Sequence, residues 1–77
     1  IDVVAESMDK KTLLVGECKW TNGENAGRLF AHLNEQVQKL PFVHKYKKIV
    51  PVLFLKERPR DKTDGIVFLP EDILKII

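Results

Sequence analysis

The chain is predicted to be an α/β domain built on a mixed sheet, on three observations. Two short apolar runs, residues 1–6 and 12–20, flank the polar stretch Ser7–Lys11, the pattern of an antiparallel hairpin. Apolar residues then recur at helical spacing from Ala26 to Leu40. A continuous apolar run, Ile49 to Leu55, follows that helix. A strand–helix–strand order gives a right-handed crossover and a parallel pair.

The hairpin comes first in the chain. A four-residue loop, Met8 to Lys11, pairs Ser7 with Thr12 and carries that register up to Asp2 opposite Glu17. Side chains on a strand repeat every second residue, so Glu17 and Lys19 share one face. Cys18 points to the other face, where a small buried apolar side chain is expected. Gly16, mid-strand, is expected to lie under the following helix. Trp20 is expected to anchor the core or its rim.

Asp2, Glu17 and Lys19 therefore form a candidate cluster at the open end of the hairpin. Two carboxylates close together repel unless a proton or cation sits between them. Oxygen ligands of this kind suit Mg²⁺ or Mn²⁺. A metal that activates water beside a lysine supplies most of what phosphodiester hydrolysis needs. The alternative is a cross-strand salt bridge between Lys19 and Glu17 or Asp2, of small energetic value.

Thr21–Asn25 links the hairpin to a crossover helix over about 23–39, with Asn22 as N-cap and Glu24 in the first turn. Ala26, Leu29, Phe30, Leu33, Val37 and Leu40 form its buried face. Arg28, His32, Gln36 and Lys39 line one flank; Arg28 and Gln36 are either substrate contacts or a solvated flank. Pro41 ends the helix. Residues 42–48 interleave Phe42 and Tyr46 with Lys45, Lys47 and Lys48, which either grip a phosphate backbone or decorate a loop anchored by the aromatics.

The strand at 49–56 is expected to be buried on both faces, with Pro51 at its start or at a bulge. Residues 57–65 read as an exposed loop. A short strand at 66–69 precedes a C-terminal helical segment opening at Pro70, with Glu71 and Asp72 at its positive end. Ile73, Leu74, Ile76 and Ile77 are expected to dock this segment on the sheet.

Charge is unevenly placed. Net charge is +2, but residues 39–62 carry eight positive against two negative side chains, Arg58 and Arg60 among them. A basic middle beside an acidic cluster suits phosphate-backbone contact; a solvated loop surface is the alternative. There is no Gly-rich phosphate loop, so no ATP site is expected in these 77 residues. One Cys and two His separated on different elements do not make a zinc set. The lone cysteine fits a reducing compartment, and no apolar run of about 18 residues is present, so a cytoplasmic location without a membrane span is expected.

Asp2, a short hairpin, then Glu17-Cys18-Lys19 on an apolar strand followed by a helix and a strand resembles the PD-(D/E)XK nuclease superfamily. The words IDVVAES and LLVGECKW, with the Asn/Gly-rich link into a helix, are similar to the C-terminal domain of prokaryotic DEXX-box ATPases, a domain of unknown function. The resemblance covers most of the chain. It implies a restriction-endonuclease-like core in which Asp2, Glu17 and the backbone carbonyl of Cys18 hold Mg²⁺ or Mn²⁺. Lys19 would position water or stabilise the phosphate. Arg28, Gln36, Lys45, Lys47, Lys48, Arg58 and Arg60 would contact nucleic acid, DNA first.

The resemblance also implies a partner, an N-terminal P-loop ATPase domain of the same chain. Residues 1–77 would then be one partial nuclease-like domain at the C-terminal end of a larger protein. Superfamily members carry a helix and strand, often with a further acidic residue, before the Asp strand, and this chain starts at Ile1. A sheet face left open there would favour homo-oligomers. The other class of function is a non-catalytic domain of the same fold that binds nucleic acid or regulates the ATPase.

Overall fold

The computed structural model describes residues 1–76. In chain order the elements are β1 (Val3–Glu6), β2 (Thr12–Lys19), α1 (Ala26–Gln38), a 3-10 turn (Val43–Lys45), β3 (Lys48–Leu55), β4 (Ile66–Phe68) and α2 (Pro70–Ile76). One sheet has the order β1-β2-β3-β4, antiparallel between β1 and β2 and parallel thereafter. This is the predicted α/β class with a mixed sheet.

The hairpin has the predicted register: Val3 faces Gly16 and Glu6 faces Leu13, and Ser7 N donates to Thr12 O at 2.9 Å. Its loop is tightened by Asp9, whose Oδ1 accepts from Ser7 Oγ at 2.6 Å and Lys11 N at 3.0 Å. These bonds hold the Asp9 carboxyl below its ordinary pKa. Lys10 closes the loop at φ 62°, in the left-handed region.

Helix α1 starts three residues later than the sequence suggests. Asn25, not Asn22, is the N-cap, and its side chain accepts from Arg28 N at 2.9 Å. Gly23, at φ +70°, turns the chain just before it, and Glu24 pairs with Thr21 Oγ1 instead of entering the helix. Asp61 completes the cap from a distant loop: its two oxygens accept from Ala26 N at 2.6 Å and Gly27 N at 3.0 Å. Those two amides hold its carboxyl below the ordinary range.

The main core cluster lies on one side of the sheet; on the other, Val52 is also fully buried, beside Gly16. Ala26, Leu29, Leu33 and Val37 of α1 pack on Leu13 and Val15 of β2 and Leu53 and Leu55 of β3. Phe30, Leu40, Phe42 and Tyr46 close its margin, the two rings of the last pair meeting edge to face. The loop aromatics therefore act as core anchors.

No full second layer covers the opposite face among the described residues; only α2 borders it, across a shallow apolar recess with Phe54 and Phe68. Gly16 is buried there by its neighbours, not by α1: a Cβ on it would lie 3.0 Å from the Phe54 ring and 3.2 Å from Val3 and Val52. Cys18, expected to be buried on this face, is exposed. Trp20, expected as an anchor, is 65% exposed. Ile73 and Leu74 of α2 remain 40% and 71% exposed, although they share an apolar recess with Phe54 and Phe68 of the sheet, so the expected docking of this helix is made only in part. The side chain of Ile76 and all of Ile77 lie outside the described residues. In each case the apolar side chain has no full second layer to pack against.

Pro51 sits inside β3 opposite Val15, not at its start. Backbone groups alternate between a strand's two edges, and this alternation directs the Pro51 nitrogen toward the β4 side. Strand β4 pairs only from Val52 onward, so no ladder bond is lost. Among the described residues no helix is long and apolar enough to cross a membrane.

Candidate functional site

The candidate site lies where β2 leaves the sheet. Glu17 and Lys19 follow Leu13 and Val15 along the face that α1 covers. Leu13 and Val15 lie under α1, but Glu17 falls at the sheet's end, where its side chain is 13% exposed. Its Oε2 is buried without a hydrogen-bond partner among the described residues. A buried carboxylate oxygen in that state is costly unless a cation faces it.

The main-chain nitrogen of Ile1 lies 3.3 Å from Glu17 Oε2, close to it but not aligned as a hydrogen bond. The same nitrogen donates to Gln36 Oε1 of α1 at 3.3 Å. Strand and helix thus present oxygens around one position.

Asp2 arrives by a different route from the one the register suggests. Asp2 N donates to Gly16 O at 2.9 Å, although the cross-strand partner of Gly16 is Val3. Two successive residues oppose one, the pattern of a β-bulge. Beyond it Ile1, not Asp2, comes beside Glu17, and Asp2 Oδ2 accepts from Cys18 N at 2.8 Å. N–H and C=O of one strand residue point to the same edge, so the Cys18 carbonyl is also directed to the Asp2 side. Desolvation, with the nearby charges of Asp2 and Glu17, holds the Cys18 thiol above its ordinary pKa. The two carboxylates therefore flank Cys18.

Lys19 is half-buried on the Glu17 side and forms no ion pair among the described residues. The cross-strand salt bridge to Glu17 or Asp2, the alternative reading of this cluster, is not made.

The loop after β3 reaches the same end of the sheet. Glu57 Oε1 accepts from Gly23 N at 3.1 Å, Arg60 N donates to Glu24 O at 2.8 Å, and Asp61 caps α1. These bonds bring Arg60 and Arg28 to one recess, lined with Gly23, Glu24, Asn25 and Asp61. Arg58 lines the adjoining cavity with Lys62 and Glu71.

Lys45, Lys47 and Lys48 are not part of this assembly. The parallel register sets Lys48 beside Thr12 and Leu55 beside Lys19. The three lysines occupy the other end of the sheet, roughly 23 Å away at about 3.3 Å per residue. The basic middle of the sequence is thus split by β3 into two groups.

Five participants escape a reading of the sequence alone. Ile1 comes beside Glu17 only because the register slips at Asp2. Asp61 and Glu57 read as generic loop acids, because their partners lie more than thirty residues away. Lys10 and Lys11 lie beside Lys47 and Lys48, a proximity that the parallel pairing of 12 with 48 brings about. No family model, curated protein or solved structure matches this chain.

Proposed function

We propose that this chain is a nuclease-like domain that holds Mg²⁺ or Mn²⁺ at Asp2 and Glu17 and acts on a nucleic-acid phosphodiester, DNA first, beside a P-loop ATPase domain. The observation that carries the reading is the Glu17 Oε2 atom, buried without a hydrogen-bond partner among the described residues, with Asp2 held on the neighbouring Cys18 amide. Among the described residues no three His, Cys, Asp or Glu side chains converge. The donor set is therefore two carboxylates and the Cys18 carbonyl. Mg²⁺ fits such a set, since it commonly takes one or two carboxylates and fills its remaining positions with water and substrate phosphate.

A bound metal supplies Lewis-acid activation of water and neutralises phosphate charge. The chain's own residues do the rest. Asp2 is held in place by the Cys18 amide. Glu17 turns one oxygen toward the cation position, and Gln36 adds a neutral oxygen from α1. Lys19, free of ion pairs among the described residues, offers a positive charge to the phosphate. Arg28 and Arg60 share a recess at the same end of the sheet and hold the flanking backbone.

The second reading is a non-catalytic domain of the same fold that regulates the ATPase or binds nucleic acid. The exposed apolar recess between Trp20, Phe54 and Phe68 of the sheet and Ile73 and Leu74 of α2 favours it, because exposed apolar surface suits a partner domain.

Calorimetric titration with Mn²⁺ decides between them, comparing the wild type with Asp2→Ala and Glu17→Ala. The nuclease reading expects binding that both substitutions abolish with the fold retained, and metal-dependent cleavage in a screen of DNA and RNA structures. Absence of binding at millimolar metal in all three proteins would sink it in favour of the regulatory reading.

A further inference from the structure

We propose that the end of the sheet remote from Glu17 is a second nucleic-acid surface, in which Lys10, Lys11, Lys45, Lys47 and Lys48 bind the phosphate backbone without metal. The proposal rests on the nucleic-acid part of the reading above, but not on its metal or its chemistry.

Two distant segments build this surface. Lys11 O accepts from both Lys47 N at 2.8 Å and Lys48 N at 3.2 Å. The pairs Lys10-Lys11 and Lys47-Lys48 are therefore held side by side by main-chain bonds, and Lys45 ends the 3-10 turn next to them. All five side chains are exposed and none forms an ion pair among the described residues. The acids nearby have other partners: Asp9 accepts from Ser7 Oγ and Lys11 N, and Glu6 accepts from Tyr46 Oη. Both carboxylates lower the local charge without neutralising any one lysine.

Five ammoniums on a fixed frame match a ligand whose charge is dense and linear. A nucleic-acid duplex carries one negative charge per about 1.7 Å of axis and releases counterions when lysines replace them. A membrane surface suits this patch less well. At the hairpin tip Met8 is the fully exposed apolar side chain, and the helix that ends nearest, α1, has its apolar face buried in the core. The span of roughly 23 Å along β2 corresponds to about seven base pairs at ~3.4 Å each. One duplex longer than that reaches both the lysine surface and Arg28 and Arg60.

The test is binding of a 20-base-pair duplex in EDTA, followed by fluorescence anisotropy over a salt series. The variants replace Lys10, Lys11, Lys47 and Lys48 together, by Gln in one protein and by Arg in another, with thermal melting as the fold control. The Gln protein should bind at least about tenfold more weakly. Its dependence of log K on log salt should be shallower by about 2 to 4, near 0.9 for each phosphate no longer neutralised. The Arg protein should bind like the wild type. Unchanged affinity and slope in the Gln protein would overturn the proposal. So would a wild type that binds anionic vesicles but no duplex. Because EDTA silences any metal site, loss of Mn²⁺ binding in Glu17→Ala leaves this result untouched, and the two proposals fail separately.

Discussion

Glu17 and Gln36 reach the same nitrogen from opposite layers of the fold: Glu17 Oε2 and Gln36 Oε1 each lie 3.3 Å from the Ile1 nitrogen. Among the described residues neither side chain hydrogen-bonds to the other's element anywhere else. The sheet end and the helix are brought together at that one main-chain atom.

Cys18 reports on the same carboxylates. Its thiol is held above its ordinary pKa by desolvation and by the charges of Asp2 and Glu17, so the reactive thiolate is scarce near pH 8. Asp2→Asn removes one of those charges while keeping an acceptor for Cys18 N. Alkylation by iodoacetamide should speed up several-fold in that variant, and also in the wild type on adding Mn²⁺. A rate indifferent to both changes would separate Cys18 from the carboxylates.

Asp61 sets an acid limit on the loop–helix junction. Its folded pKa lies below the unfolded value because Ala26 N and Gly27 N bond the ionised form. Its contribution is thus fully present above the unfolded pKa, near 4, and is lost as pH falls through the lower folded value. Asp61→Ala should lower the melting temperature at pH 7. The gap to wild type should close steadily below about pH 4. A gap constant across that range would assign the loss to packing, not to the cap's charge.

Gly16 has no room for a side chain. A Cβ there meets the Phe54 ring at 3.0 Å and Val3 and Val52 at 3.2 Å. Gly16→Ala should destabilise by about 1–3 kcal/mol in urea unfolding, as overpacking does. The Mn²⁺ affinity of the folded fraction should stay within about twofold, because the crowding is on the sheet face opposite Glu17.

The hairpin, its register and the crossover helix were legible because each rests on local periodicity and a short loop. Leu13 and Val15 alternate, Ala26 to Val37 repeat at helical spacing, and four loop residues leave one pairing. The site was legible only as far as that register ran. The bulge at Asp2 carries no sequence signal, yet it moves Asp2 to Cys18 and brings Ile1 to Glu17. The expected burial of Cys18 and Trp20 failed for a different reason. Residue type shows that a side chain is apolar, but not whether a second layer exists to cover it. Asp61 was invisible as a cap because cap preferences are read from neighbours in sequence, and its helix begins 35 residues earlier.

The loop that bears Arg58 and Arg60 is stitched to the start of α1 by Glu57, Arg60 N and Asp61. Ordering a free basic loop on a ligand costs conformational entropy at every residue it immobilises. Here folding has already frozen the main chain, so a phosphate meeting Arg60 has only the guanidinium arm left to settle. Cutting one stitch, as Glu57→Ala would, should therefore leave every cationic group in place and still weaken binding, with the deficit appearing as entropy in calorimetry.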